Sequence, residues 1–105
     1  MLREFFLGFV KIHILYHAGQ APVYGAELMA ELARHGYELS PGTVYPTLHR
    51  LYREGYLSRE SRVVGGRVRK YYSLTDKGQA ALDQARAKIA ELVQEVMAED
   101  KEARA

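Results

Sequence analysis

Cysteine and tryptophan are both absent from this 105-residue chain. The lack of cysteine removes disulfides and thiolate metal sites and fits a protein of a reducing, cytoplasmic compartment. Long apolar runs are missing too. The longest, Phe5 to Tyr16, is interrupted by Lys11 and His13 and falls short of the roughly 20 residues that cross a bilayer. Met1-Leu2-Arg3-Glu4 offers no basic region or cleavage site of a signal peptide, so no membrane partner is expected. No Gly-rich phosphate loop, nucleophile motif, internal repeat or low-complexity segment occurs, which leaves an enzyme the least favoured class. None of the four histidines has a carboxylate partner at metal-ligand spacing. His13 and His17 lie at i, i+4 on one helix face, but their apolar surroundings favour a buried or interface pair, so no metal or cofactor is assigned. The length predicts one domain, small enough that dimerisation would add stability.

The net charge of +2 conceals an asymmetry. Residues 1–74 carry ten basic and six acidic side chains, +4; residues 75–105 carry five and seven, −2. The window 40–70 carries seven and two, +5. Positive charge gathered in mid-chain is a nucleic-acid footprint.

That window begins with a helix marked at both ends. Ser40 suits the N-cap, Pro41 the first helical position and Gly55 the left-handed closing residue. Val44, Leu48 and Leu51 make the buried stripe. Thr43, Thr47, His49, Arg50 and Arg53 form a cationic outer face without an aliphatic residue, able to enter a DNA major groove. Pro46 lies inside the helix and is expected to bend it, bringing Thr43 and Tyr45 towards a ligand.

Before it, residues 3–18 read as a helix apolar on several sides, as expected when one side meets a partner subunit. Tyr24 to Arg34 reads as a second helix with a Tyr24, Leu28, Leu32 stripe, and Tyr37-Glu38-Leu39 as a link able to add a small edge strand. Two helices joined this way, the second cationic, form the helix-turn-helix pattern. After Gly55 the period changes to two, and Gly65-Gly66 predicts a hairpin in which Val64 faces Arg67, Val63 faces Val68, Arg62 faces Arg69 and Leu57 faces Leu74. Leu57, Val63, Val68, Tyr72 and Leu74 are expected to pack on the helices, with Arg62, Arg67 and Arg69 opposite. Arg62 across from Arg69 is a like-charge pair, for which a polyanion on that face would give a reason.

Residues 75–99 read as a final helix capped by Thr75, with a fraying polar tail from Glu99 to Ala105. Leu82, Ala85, Ile89, Leu92 and Val96, widened by Val93 and Met97, make a short heptad seam that predicts pairing between subunits. The expected class is thus mainly α with a small β-hairpin: a winged helix-turn-helix over residues 1–74 and a C-terminal dimerisation helix and tail over 75–105.

Tyr24-Gly25-Ala26-Glu27-Leu28, the run Leu39 to Leu48 containing Gly42-Thr43-Val44-Tyr45-Pro46, Leu51 to Leu57, and Gly66 to Gly78 with Arg69-Lys70-Tyr71-Tyr72-Ser73-Leu74-Thr75 together resemble the PadR family of bacterial transcriptional regulators. The resemblance spans nearly the whole chain and is closest to the short subgroup with one helix after the wing. It implies a homodimeric winged-helix repressor of operator DNA. By analogy Ser40, Thr43, Tyr45, Pro46, Thr47, His49, Arg50 and Arg53 would lie at the major groove, and Arg62, Arg67, Arg69 and Lys70 at the backbone or minor groove. Phe5, Phe6 and Phe9 of the first helix would join the last helix in the dimer interface. A small-molecule effector of unspecified identity is a further partner in this family. Some short members hold flat aromatic compounds with tryptophan between the last helices, and that pocket is not carried over to a chain without tryptophan. The rival reading from another class is a winged-helix protein-interaction module, whose cationic helix would meet an acidic protein.

Overall fold

Two of the helices end alike, and for one reason. In the computed structural model, which describes residues 2–103 and the side chains of residues 2–98, α2 (Gly25–Arg34) and α3 (Pro41–Arg53) close in the same way. Tyr37 and Tyr56 donate their N–H to Leu32 and Leu51 carbonyls at 2.9 Å, while Gly36 and Gly55 donate to Ala33 and Tyr52 at 3.0 Å. This is the Schellman pattern, and it needs a left-handed residue; Gly36 and Gly55 supply it with φ 88° and 86°. At the other end of α3, the Ser40 hydroxyl makes no capping bond. Its backbone carbonyl receives the Thr43 and Val44 N–H groups instead, at 3.0 and 3.1 Å, so the expected side-chain cap is corrected to a backbone one.

The remaining elements are α1 (Leu2–Gln20), β1 (Val23–Tyr24), β2 (Leu57–Val64), β3 (Arg67–Leu74) and α4 (Asp76–Ala103). The sheet runs β1-β3-β2, all antiparallel. The hairpin register agrees at every pair with the one that Gly65-Gly66 dictates, from Leu57↔Leu74 to Val64↔Arg67. Both turn residues have positive φ, 58° and 78°, the geometry whose twist matches that of the strands. The third strand is not the link at Tyr37–Leu39. It is Val23–Tyr24, pairing with Tyr72 and Tyr71, so Tyr24 lies in a strand and not in the second helix. Tyr37 and Leu39 pack as side chains against the core, following from the closure of α2.

The core joins Val10, Ile14, Leu15 and Ala18 of α1, Leu28 and Leu32 of α2, and Val44, Leu48 and Leu51 of α3 with Leu57, Tyr72 and Leu82. Val63 and Val68 are excluded from it. They are 74% and 70% exposed, because the hairpin outruns the body and only its base reaches the helices. Leu82, expected on the intersubunit seam, is 4% exposed within its own protomer; the first turns of α4 thus belong to the body.

Beyond Leu82 the helix projects. At 1.5 Å per residue, 28 residues make a rod of about 42 Å. The radius of gyration is 16.1 Å, above the about 13 Å of a compact chain of this length. The helix continues through Glu99 to Ala103, past the expected frayed start; Arg104 and Ala105 of that expected tail lie outside the described residues.

The start of α4 is bonded to the end of α3. Thr75 Oγ1 donates to the Gly55 carbonyl at 2.6 Å and accepts the Gly78 N–H at 3.0 Å, fulfilling its expected capping role. Lys77 Nζ donates to the Glu54 carbonyl at 2.6 Å. A Cβ on Gly78 would collide with the Tyr56 carbonyl oxygen and Leu74 Cδ1. A backbone carbonyl has no rotamer to yield. Gly78→Ala is therefore expected to lower stability in denaturant melts by about 1–3 kcal/mol, despite alanine's better helix propensity.

Candidate nucleic-acid interface

Helix α3 buries Val44, Leu48 and Leu51 and leaves Tyr45, Pro46, His49, Arg50 and Arg53 exposed, with Thr43 and Thr47 half-buried. The helix runs unbroken through Pro46. The backbone bond lost there would have gone to the carbonyl of exposed Gly42, open to water. One residue on, the Thr43 carbonyl accepts the Thr47 hydroxyl at 2.7 Å. The Thr47 hydroxyl proton is therefore engaged within the helix. Tyr45 has a fixed seat. Its ring fills the space where Gly25 would carry a Cβ, so a small residue at the start of α2 holds the aromatic edge of α3.

Among the described residues, Arg50, Arg53, Arg67 and Lys70 have no carboxylate within ion-pair distance. Arg50 shares a groove with Arg3 and Lys11 of α1, alongside Thr43, Pro46 and Thr47. Reasoning on the helix and wing alone misses those two cations. Their signal is their isolation, as the only Lys or Arg residues on a largely apolar first helix.

Three arginines of the hairpin rest on aromatic rings. Arg62 lies 4.4 Å above Tyr71, Arg69 4.1 Å above Tyr24, and Arg59 4.2 Å above Tyr52. Tyr24 and Tyr71 meet edge to face at 5.4 Å. Arg62 also pairs with Glu60 at 3.2 Å. Arg69 Nη1 donates to Tyr71 Oη at 3.4 Å, and that bond raises its already high pKa. Each exposed cation–π contact contributes about 0.5–1 kcal/mol. The Arg62–Arg69 opposition thus has an internal support, two rings and a carboxylate, that alternation alone did not reveal. Arg59, absent from the expected contact set, links β2 to α3 through Tyr52. Three of the hairpin's five cations, Arg59, Arg62 and Arg69, are thereby held in place.

The apolar residues expected at a subunit interface stand uncovered. Phe5, Phe6 and Phe9 of α1, with Phe5 stacked edge-on to both others at 6.0 and 4.9 Å, are exposed, as are Ile89, Leu92, Val93, Val96 and Met97 of α4; Ala85 is half-buried. Phe9 and Ile89 border the same recess between α1 and α4.

His13 and His17 do not stand as a pair. His35, at the end of α2, closes on them, with ring centroids 4.7 Å from His13 and 6.1 Å from His17. Sequence spacing gives no signal of it, because seventeen residues lie between His17 and His35. His49, the fourth, remains on the exposed face of α3. Among the described residues, no helix is long and apolar enough to cross a membrane.

Comparison with known proteins places this arrangement. The family described as Transcriptional regulator PadR-like family matches residues 14–84. A curated transcriptional regulator of Mycobacterium tuberculosis is 52% identical over 96 residues, 91% of this chain and 90% of that protein. Among solved structures, a PadR-like transcription factor from Bacteroides fragilis superposes with a TM-score of 0.80 at 30% identity, covering 90% of this chain and 92% of that one. A PadR family regulator from Eggerthella lenta does so at 0.80 and 33%, covering 91% and 85%.

Proposed function

The chain belongs to the PadR-like family of transcriptional regulators, and from that membership we propose that it is a homodimeric repressor that reads a pseudo-palindromic operator. The membership makes it a regulator and not an enzyme. The observation that carries the finer reading is the outer face of α3: Arg50 and Arg53 exposed and, among the described residues, unpaired, flanked by Thr43, Tyr45, Thr47 and His49, with no aliphatic side chain among them. Two copies of α3, related by a two-fold axis, would enter successive major grooves about 34 Å apart. Arg50 and His49 face bases. Arg62, Arg67, Arg69 and Lys70, joined by Arg3, Lys11 and Arg59, face phosphates. The cation–π contacts favour that role, because a guanidinium already stacked on a ring loses less side-chain freedom on meeting a phosphate.

Arg50→Ala tests the reading. Loss of a base contact lowers affinity for the cognate operator by about 1–3 kcal/mol and leaves binding to random DNA nearly unchanged. The measurement is a competition titration against both duplexes. An equal loss on the two would reduce Arg50 to a phosphate contact and remove it from sequence reading.

A further inference from the structure

Three imidazoles converge at the corner where α1, α2 and α4 meet. His13 and His17 occupy successive turns of α1, and His35 caps α2 with its backbone N–H bonded to the Leu32 carbonyl at 3.0 Å. One nitrogen from each ring can be chosen so that all three lie within 4.8 Å of one another. We propose that His13, His17 and His35 form a binding site for a late first-row divalent cation of the zinc type.

The donor set carries the choice of ion. Three neutral nitrogens suit zinc, nickel, cobalt or copper, and not magnesium or calcium, which need oxygen. Zinc–nitrogen bonds of about 2.0–2.1 Å at tetrahedral angles put the donors about 3.4 Å apart. The rings must therefore close by no more than about 1.4 Å from the separation seen, a movement that side-chain torsions supply. His35 is exposed and the other two are half-buried, so an ion has access and the ligands have room.

The packing alternative, a plain stack of rings, leaves the nitrogens unexplained. Among the described residues, none of the three imidazoles has a hydrogen-bond partner or a carboxylate beside it. Tyr37 meets His13 at 5.4 Å and Tyr16 meets His17 at 5.3 Å between ring centroids, both edge-on. Arg86 of α4 is the charged group on the same recess. Burial first, then the neighbouring His35 and His17, push the His13 pKa below its ordinary value, which keeps that ring in the neutral form that binds metals. Arg86 favours an anionic fourth ligand, such as hydroxide or chloride, over a neutral one.

The full chain, stripped with chelator and free of DNA, is titrated with Zn²⁺ by calorimetry near neutral pH. One ion per chain is expected. His13→Ala, His17→Ala and His35→Ala should each weaken binding roughly 10- to 100-fold, at least the cost of removing outer-shell support from a metal site. His49→Ala should leave it unchanged, and Mg²⁺ should give no saturable heat. His35 is exposed, so its variant retains the fold and decides the matter even where His13→Ala does not fold. Co²⁺ loading gives a second readout, since the visible spectrum of the three-nitrogen site must change in position and intensity in His35→Ala. Absence of saturable Zn²⁺ binding, or an affinity equal in wild type and His35→Ala, overturns the site. Either result leaves the operator reading untouched.

Discussion

Leu92→Asp is expected to sediment as a monomer and to lose operator binding. Leu92 is 56% exposed and belongs to the projecting part of α4, with Ile89, Val93, Val96 and Met97 beside it. Nothing in the core of its own protomer depends on it. In the proposed dimer the side chain is buried twice, once in each subunit. Burying a leucine contributes about 1.5–3 kcal/mol, and an unpaired buried carboxylate costs several more. Two symmetric copies make the loss on the order of 6 kcal/mol or more, which raises the dissociation constant of the dimer about 10⁴-fold. Operator affinity follows, because a single α3 reaches only a half-site. Circular dichroism should show α1 to α3 intact. A variant that sediments as the wild type does would eliminate the α4 seam.

Salt should produce an effect as large. Each protomer presents Arg50, Arg53, Arg62, Arg67, Arg69 and Lys70 at the proposed interface, and a dimer presents them twice. When half of these meet phosphates, the count reaches the 6–10 pairings for which affinity falls about 10³- to 10⁵-fold between 50 and 200 mM salt. Fluorescence anisotropy over a salt series measures the slope. Arg67→Ala removes a wing cation that has no aromatic or carboxylate partner among the described residues. It should reduce that slope by about one for each phosphate left unneutralised. A flat response would turn attention to an acidic protein as the partner of α3.

The sequence revealed those parts of this fold that local chemistry determines. Val44, Leu48 and Leu51 became the buried stripe of α3 because helical spacing admits one inward face. Gly65-Gly66 fixed the hairpin register because few two-residue loops match the twist of the strands. Gly55 closed α3 because a left-handed residue was needed there. What stayed hidden depended on distance through space. Val63 and Val68 read as core because alternation gives a face but not how far the body extends beneath it. Tyr24 read as helical because its strand partner, Tyr71, lies almost fifty residues away. For the candidate site, the cations were legible and their supports were not: no periodicity announces that Arg69 will lie on Tyr24, or that His35 will join His13 and His17.

The bonds from Thr75 and Lys77 to the end of α3, with Gly78 lodged against the Tyr56 carbonyl, leave no slack joint between the reading helix and the long arm. In a dimer built on the arms, the distance between the two reading helices becomes a matter of leverage. A 5° tilt about the middle of a rod of about 42 Å swings its end by about 2 Å, some half of the 3.4 Å step between stacked bases. Operator phasing is then chosen where the arms cross, far from any base, and a molecule that altered that crossing would release the duplex without touching it.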